Sequence, residues 1–417
     1  MKKSLLKTCA IYGMLKNNKK HISFHTPGHK KGKWDITELA FSDNLSSPSG
    51  CILQAEEDIA RIVRSKKSFI LTDGSTSGVH AILYAVKTLG AKKIALLSPA
   101  HKSFYTGAEI FNLELIFCHE TDETAIKTAD AVFLTSPDYY GNIPDLQRIK
   151  TLCERYEKPL LIDGAHGGHL HFDKTLYAGE YADLWVDGVH KSLPALTQGA
   201  VVSAKTETYA NALKKGVDIF RTTSPSYPIM ASVEYAVKYP RNERLENFVR
   251  AWADRETRIT VNNDWTKLTA HFGKNAFEVE KLFEKKGIYP EFCDGEAIVF
   301  YLSPCVKLRR LKQLKKTLTK LFGTYSDFDK NNTQQTPAPF VLDKTVKTEW
   351  VEIEKSVGRI CANACGLFPP CTPLIYAGEE ITEEKIKLLV SANHRFGVVD
   401  GKISVVKDGN DNANENG

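Results

Sequence analysis

The sequence predicts an α/β protein built on a mostly parallel sheet, with a smaller α+β unit toward its C-terminal side. Three observations carry this expectation. Short runs that are apolar throughout recur at Phe69–Thr72, Lys93–Leu97, Ala131–Leu134, Leu160–Ile162, Leu184–Val186 and Ala200–Ser203. Helical patterns lie between most of them, the arrangement of parallel strands covered on both faces. Polar clusters follow the runs at their C-terminal ends, and an open α/β sheet binds its ligand there.

Along the chain, residues 1 to about 20 read as a helix, followed by a loop rich in Pro, Gly and His from Phe24 to Gly32. Ile52–Ser65 is an amphipathic helix. After the Phe69–Thr72 run, Asp73–Gly78 (DGSTSG) reads as a small-residue turn and Val79–Leu89 as the helix it opens. Strand, turn and helix in that order place backbone N–H groups and a helix dipole around an anion. Helices are expected around Phe104–Phe111 and over Asp145–Tyr156. The clusters Asp73–Gly78, His101, Asp138–Tyr140, Asp163–His166 and His190–Lys191 should converge on one crevice.

Past Tyr227 the pattern turns helical and charged. Ala297–Leu302 reads as a strand, Lys307–Phe322 as a basic amphipathic helix with a solvated face, and Asp327–Pro339 as a linker or exposed loop. A helix is expected near Lys355–Ala364 and a strand at Leu374–Tyr376, with a polar tail from Asp408. The expected division is an N-terminal helix and arm over 1–45, a large cofactor domain over 46–235, a helical connector with a small α+β domain over 236–407, and a disordered tail over 408–417. A chain of 417 residues is too long for one ordinary core.

Composition excludes several classes. No apolar stretch is long enough to span a bilayer, and Lys7 interrupts the run that a secretory signal would need. The formal charge of +6 is scattered, which argues against nucleic acid. Nine cysteines without a regular framework fit free thiols in a reducing compartment, so a cytoplasmic protein is expected. Neither Cys361, Cys365 and Cys371 nor the run His166-x-x-His169-x-His171 completes a recognisable zinc set, and no metal is expected.

The chemistry centres on 160–191. One apolar run delivers Asp163 to its end and another delivers His190 and Lys191. A lysine becomes a covalent catalyst as a Schiff base with an aldehyde cofactor. A carboxylate can keep a pyridine nitrogen protonated and so make its ring an electron sink. With the anion turn at 74–78, the pair points to pyridoxal 5'-phosphate. His101 could lie on a planar ring.

Several motifs, in order, resemble the Orn/Lys/Arg decarboxylase family: FHTPGHKKG ending at Gly32, LTDGSTSG at Gly78, SPAHKS at Ser103, IDGAHGGH at His169, VHKSLPALTQG at Gly199 and TTSPSY at Tyr227. Phe368–Thr382 resembles the family's C-terminal segment. The resemblance implies the aspartate aminotransferase-like fold (fold type I), a pyridoxal-phosphate enzyme, and decarboxylation of lysine, arginine or ornithine to a diamine or agmatine. It implies that Lys191 holds the cofactor, that Asp163 pairs with its ring nitrogen and that His101 stacks on the ring. Ser75, Thr76 and Ser77 match the phosphate turn, and His190 a histidine that helps there. His166 falls inside the matched aspartate motif, and Ser226 and Tyr227 in a segment that borders the site in a homodimer. An extra N-terminal receiver-like domain is not expected. A family serine is replaced by Gly188, and a Pro-Pro-Gly glycine by Cys371. Two alternatives stay open: a transaminase or aldolase, because the same lysine and aspartate serve those reactions, and a silent regulatory protein that keeps the fold, to which the departures point.

Overall fold

The structure is a computed structural model. It describes residues 2–18, 22–30, 32–120, 122–325, 347–368, 371, 373–392 and 394–407. The expected loop at Asp327–Pro339 and the tail from Asp408 lie outside the described residues.

The elements follow as α1 (Lys3–Leu6), α2 (Ala10–Asn17), α3 (Cys51–Ile62), β1 (Lys67–Leu71), α4 (Gly74–Thr88), β2 (Lys93–Leu96), α5 (Lys102–Ile110), β3 (Glu114–Phe117), α6 (Glu123–Thr128) and β4 (Ala131–Thr135). Then come α7 (Leu146–Arg155), β5 (Leu160–Asp163), α8 (Ala178–Tyr181), β6 (Leu184–Asp187), α9 (Val189–Ser192), β7 (Ala200–Ala204), α10 (Glu207–Phe220), α11 (Tyr227–Val237) and α12 (Glu243–Ala253). Two compact units divide the chain: Met1–Thr257 with Val261–Leu268 and Tyr301–Gln313, and Arg258–Thr260 with Thr269–Phe300 and Leu314–Gly417.

The first unit holds a seven-stranded sheet in the order β1-β7-β6-β5-β4-β2-β3. Neighbours from β6 to β3 pair in parallel, and β7 runs antiparallel to both β1 and β6. The carboxyl ends of β1, β2, β4, β5 and β6 therefore share one edge. Strand alternation feeds two cores. Ile70, Val132, Leu160, Ile162 and Trp185 pack on one face, and Phe69, Phe133, Leu161 and Val186 on the other with α4 and α10.

The anion turn proves to be the first turn of α4 itself, which starts at Gly74 and not at Val79. Small residues there serve close packing: a Cβ at Gly78 would lie 2.6 Å from Val186 Cγ2. The expected first helix is two short ones, α1 and α2. Strand β3 and helix α6 escaped the sequence reading because β3 is only partly buried and α6 is a short helix.

Beyond α12 follow β8 (Ile259–Thr260), β9 (Lys267–His271), α13 (Ala276–Lys285), β10 (Phe292–Cys293), β11 (Ala297–Tyr301), α14 (Leu308–Thr324), β12 (Thr348–Glu352), β13 (Gly366–Leu367), α15 (Glu383–Ser391), β14 (Arg395–Phe396), β15 (Val398–Val399) and β16 (Lys402–Val406). They form sheets ordered β10-β11-β9-β8, β12-β16-β15 and β13-β14. The expected helix at Lys355–Ala364 is absent. A 3-10 turn at Ile353–Lys355 is followed by Gly358 at φ +80°, and bridges from Ile360 to Glu380 and from Cys361 to Val405 hold the chain extended.

One buried ion pair ties the first unit together. Arg221 Nη1 lies 3.3 Å from Glu56 Oε1, both side chains 3% exposed. Arg221 Nη2 donates to Leu45 O at 2.6 Å, and Glu56 Oε1 accepts from Ile70 N at 3.0 Å. Arg221→Met leaves that carboxylate buried without its cation. Urea unfolding is expected to show a loss of about 3–5 kcal/mol; an unchanged midpoint would contradict this.

Candidate active site

Strand β5 ends at Asp163, and the chain turns through Gly164–Gly167 against the end of β6 and the start of α9. The approach is very close. A Cβ at Gly188 would stand 2.6 Å from Ala165 O, and one at Gly164 would stand 3.0 Å from Val186 O. The glycine that replaces the family serine is therefore required by the backbone packed on it.

That packing brings two of the side chains singled out from the sequence together. His166 Nε2 is 3.1 Å from Lys191 Nζ. His166 is buried between the rings of Tyr139 (centroids 4.7 Å apart) and Tyr301 (5.3 Å). Burial, then the charges of Lys191 and Lys267, hold its imidazole well below the usual histidine range, so it is neutral. Asp163 Oδ1 accepts from Ala165 N at 3.0 Å. Burial pushes the Asp163 carboxyl up, with the Lys191 charge opposing.

The opposite wall is the N-terminus of α4. Asp73 occupies its N-cap position without capping the helix; the carboxylate instead accepts from Thr222 N at 3.2 Å. Gly74 N donates to Gln198 O at 2.8 Å, and the amides of Ser75 and Thr76 have no intrahelical acceptor in this first turn. Gln198 sits at φ +76°, a left-handed conformation uncommon for its type. His101 caps α5: its Nδ1 accepts from Ser103 N at 3.2 Å, which puts the neutral ring's proton on Nε2. Burial, then the Lys191 charge, brings His101 down to about 4. His190 Nδ1 donates to Gly199 O at 2.9 Å, and burial lowers its pKa.

A cavity of about 190 Å³ is lined by Ser75, Thr76, His101, Asp163, His166, His190 and Lys191 among others. Two residues singled out from the sequence lie elsewhere. Ser77 donates its hydroxyl to Gly74 O at 3.0 Å. Ser226 is the N-cap residue of α11 and does not line this cavity. Asp138 is spent on its own turn, accepting from Tyr140 N and Asn142 N at 2.8 Å each, while its neighbour Tyr139 lines the cavity. Tyr139 lay inside a cluster legible in sequence. Thr197 and Gln198, also in the lining, lay within the VHKSLPALTQG motif but carried no separate signal.

The three histidines of the 166–171 run go to different partners. His169 Nε2 pairs with Asp264 Oδ1 at 2.9 Å, His171 Nδ1 donates to Gly168 O at 2.7 Å, and His166 meets Lys191.

The donor set fits a planar aldehyde cofactor carrying a phosphate: an amine, a buried carboxylate facing it, a flat imidazole and an uncapped helix N-terminus around one cavity. Comparison with known proteins points the same way. The sequence profile described as Orn/Lys/Arg decarboxylase, major domain, matches residues 111–269. An arginine decarboxylase of Bacillus subtilis is 27% identical over 454 residues, covering 89% of this chain and 91% of its own. The uncharacterized protein YaaO of the same organism is 27% identical over 434 residues, covering 88% and 90%. Among solved structures, the constitutive lysine decarboxylase of Escherichia coli aligns with a TM-score of 0.69 at 18% identity, over 97% of this chain and 82% of that one. A structure described as SPT with PLP aligns at 0.54 and 14% identity, over 66% and 77%. The fold is that of the fold type I pyridoxal-phosphate enzymes. Within that class, the chain is similar to Orn/Lys/Arg decarboxylases, over residues 111–269 by the profile and over most of its length, at 27% identity, by the arginine decarboxylase.

Two outcomes test the packing of this edge. Gly188→Ser forces a side chain against Ala165 O and is expected to cost about 1–3 kcal/mol in urea unfolding, with weaker, not tighter, cofactor binding; tighter binding would contradict the close approach. Asp187 Oδ2 accepts from Tyr177 Oη at 2.6 Å and Trp185 Nε1 at 3.2 Å, and burial pushes its carboxyl from the ordinary 3.8 up to about 7. A folded-state pKa above the unfolded one contributes stability that is full below about 4 and lost as pH rises through about 7. Asp187→Asn removes this titration. Unfolding free energies at pH 5 and pH 8 should therefore shift in favour of the variant at the higher pH; equal differences at both would contradict the assignment.

Proposed function

We propose that this protein is a pyridoxal-phosphate-dependent decarboxylase acting on arginine, lysine or ornithine and yielding agmatine or the corresponding diamine. The observation that carries the reading is the placement of Lys191, Asp163 and the uncapped α4 N-terminus around one cavity. The names of the relatives, arginine decarboxylase and constitutive lysine decarboxylase, support a basic substrate.

Lys191 would hold the aldehyde carbon, Asp163 the ring nitrogen, Ser75, Thr76 and His190 the phosphate, and His101 the ring face. Bound there, pyridoxal phosphate supplies an electron sink for the pair left when the substrate's carboxylate departs as carbon dioxide. The protein's part is electrostatic. Asp163, whose burial raises its pKa, gains its negative charge more readily beside a cationic ring nitrogen and thereby keeps that nitrogen protonated. His190, whose Nδ1 proton is committed to Gly199 O, presents Nε2, and an adjacent anion raises its affinity for a second proton. The first-turn amides of α4 hold negative charge without a counter-ion. Lys191 Nζ, hydrogen-bonded to His166 Nε2, would return a proton to the substrate carbon, with His190 as the other candidate donor. The active unit under this reading is a cytoplasmic homodimer. Ile22 and Phe24, 88% and 93% exposed, support a surface that a second copy covers.

Lys191→Ala is the direct test. The purified variant should lose the visible absorbance of the lysine-bound cofactor, and carbon dioxide release should fall by at least about 10³-fold. A folded variant that keeps both would contradict the proposal.

A further inference from the structure

Behind the His166 ring lies a buried charged cluster that neither the motifs nor the proposed chemistry uses. Lys267, 1% exposed, opens β9. Its Nζ contacts Asp264 Oδ2 at 2.9 Å, Thr266 Oγ1 at 3.0 Å and His166 O at 3.2 Å, and it stands 4.6 Å from the Tyr301 ring centroid. Asp264 is fully buried; its Oδ1 accepts from His169 Nε2 at 2.9 Å and Thr266 Oγ1 at 2.7 Å. The two ends of the His166–His169 segment are thus both tied to one ion pair, His166 through its carbonyl and His169 through its ring.

Burying an ammonium and a carboxylate is costly, and such a pair can be replaced by apolar side chains of similar volume without loss of stability. What an apolar pair could not supply is a donor to the His166 carbonyl and a charge behind its ring. The groups that face His166 are Lys191, Lys267, Asp264 and His101, with the rings of Tyr139 and Tyr301 on its sides. Lys267 and Asp264 are the only charges among these that lie outside the cavity lining.

We propose that Lys267, anchored on Asp264, is a positioning residue of the active site: it fixes the backbone of His166 and sets the electric field in which His166 meets the Lys191 amine. This rests on the reading of Lys191 as the cofactor-bearing residue. A positive charge at this place disfavours further positive charge at the His166–Lys191 pair, and the paired carboxylate moderates the effect. The two members of the cluster therefore pull the pair's protonation in opposite directions.

The experiment titrates, against pH, the absorbance of the cofactor bound at Lys191 in the wild-type holoenzyme, in Lys267→Met and in the isosteric Asp264→Asn. Removing the Lys267 charge should raise the midpoint by about one pH unit, and removing the Asp264 charge should lower it by a similar amount. A purely structural role would move both midpoints alike or neither. If Lys267→Met does not fold, Asp264→Asn alone decides by its sign. A folded, cofactor-loaded variant with the wild-type midpoint, or two variants displaced in the same direction, overturns the inference while leaving the functional reading standing. A wild-type protein that takes up no pyridoxal phosphate overturns both.

Discussion

The carbonyl of Ala165 approaches the Gly188 backbone so closely that no side chain fits between them. The geometry of the site follows from this contact. It lets the turn after β5 lie flat against the end of β6, which brings His166 within hydrogen-bond distance of Lys191 and leaves Asp163 facing the same cavity. A larger residue at 188 would push the turn outward and separate a carboxylate, an imidazole and an amine that come from two different strand ends. The serine expected at 188 from the family pattern would donate a hydroxyl; here that space is occupied by backbone, which leaves the first turn of α4 and His190 as the proposed anion donors.

Electrostatics then divides the labour. The cavity is lined by histidines that burial keeps neutral and by a carboxylate whose ionisation burial resists. Such a set is under tension until an anion and a cationic ring nitrogen enter, because each stabilises the charged form of the group beside it. Asp73, which an isolated helix would use as its cap, is turned to Thr222 instead, so the helix dipole stays available to a ligand. The structure gives up local stability at each of these points, as functional sites commonly do.

Much of the sheet was legible because its strands are apolar along their whole length, a pattern that a helix-covered parallel sheet imposes. The polar clusters at their ends were legible for the same reason: they interrupt apolar runs where chain direction places the ligand edge. The start of α4 was misread because Gly-Ser-Thr-Ser-Gly has poor helix propensity, and the packing of Gly78 on Val186 overrides it. The Lys355–Ala364 segment was misread as helix although Gly358 stands in it at positive φ. Lys267 and Asp264 could not be found at all, since nothing local distinguishes a lysine bonded to a distant carbonyl from one in solvent. Ser77 shows the converse: it lies in the turn that the sequence singles out, yet its hydroxyl turns into the helix.

Under the proposed function this cavity removes the carboxylate of a basic amino acid. This is tested most directly by loading the wild-type protein with pyridoxal phosphate and measuring carbon dioxide released from carboxyl-labelled arginine, lysine and ornithine, with the amine product quantified alongside. Release is expected from at least one of the three, matched mole for mole by agmatine or a diamine. Cofactor-loaded protein that releases none, or that forms a keto acid in place of the amine, would contradict it.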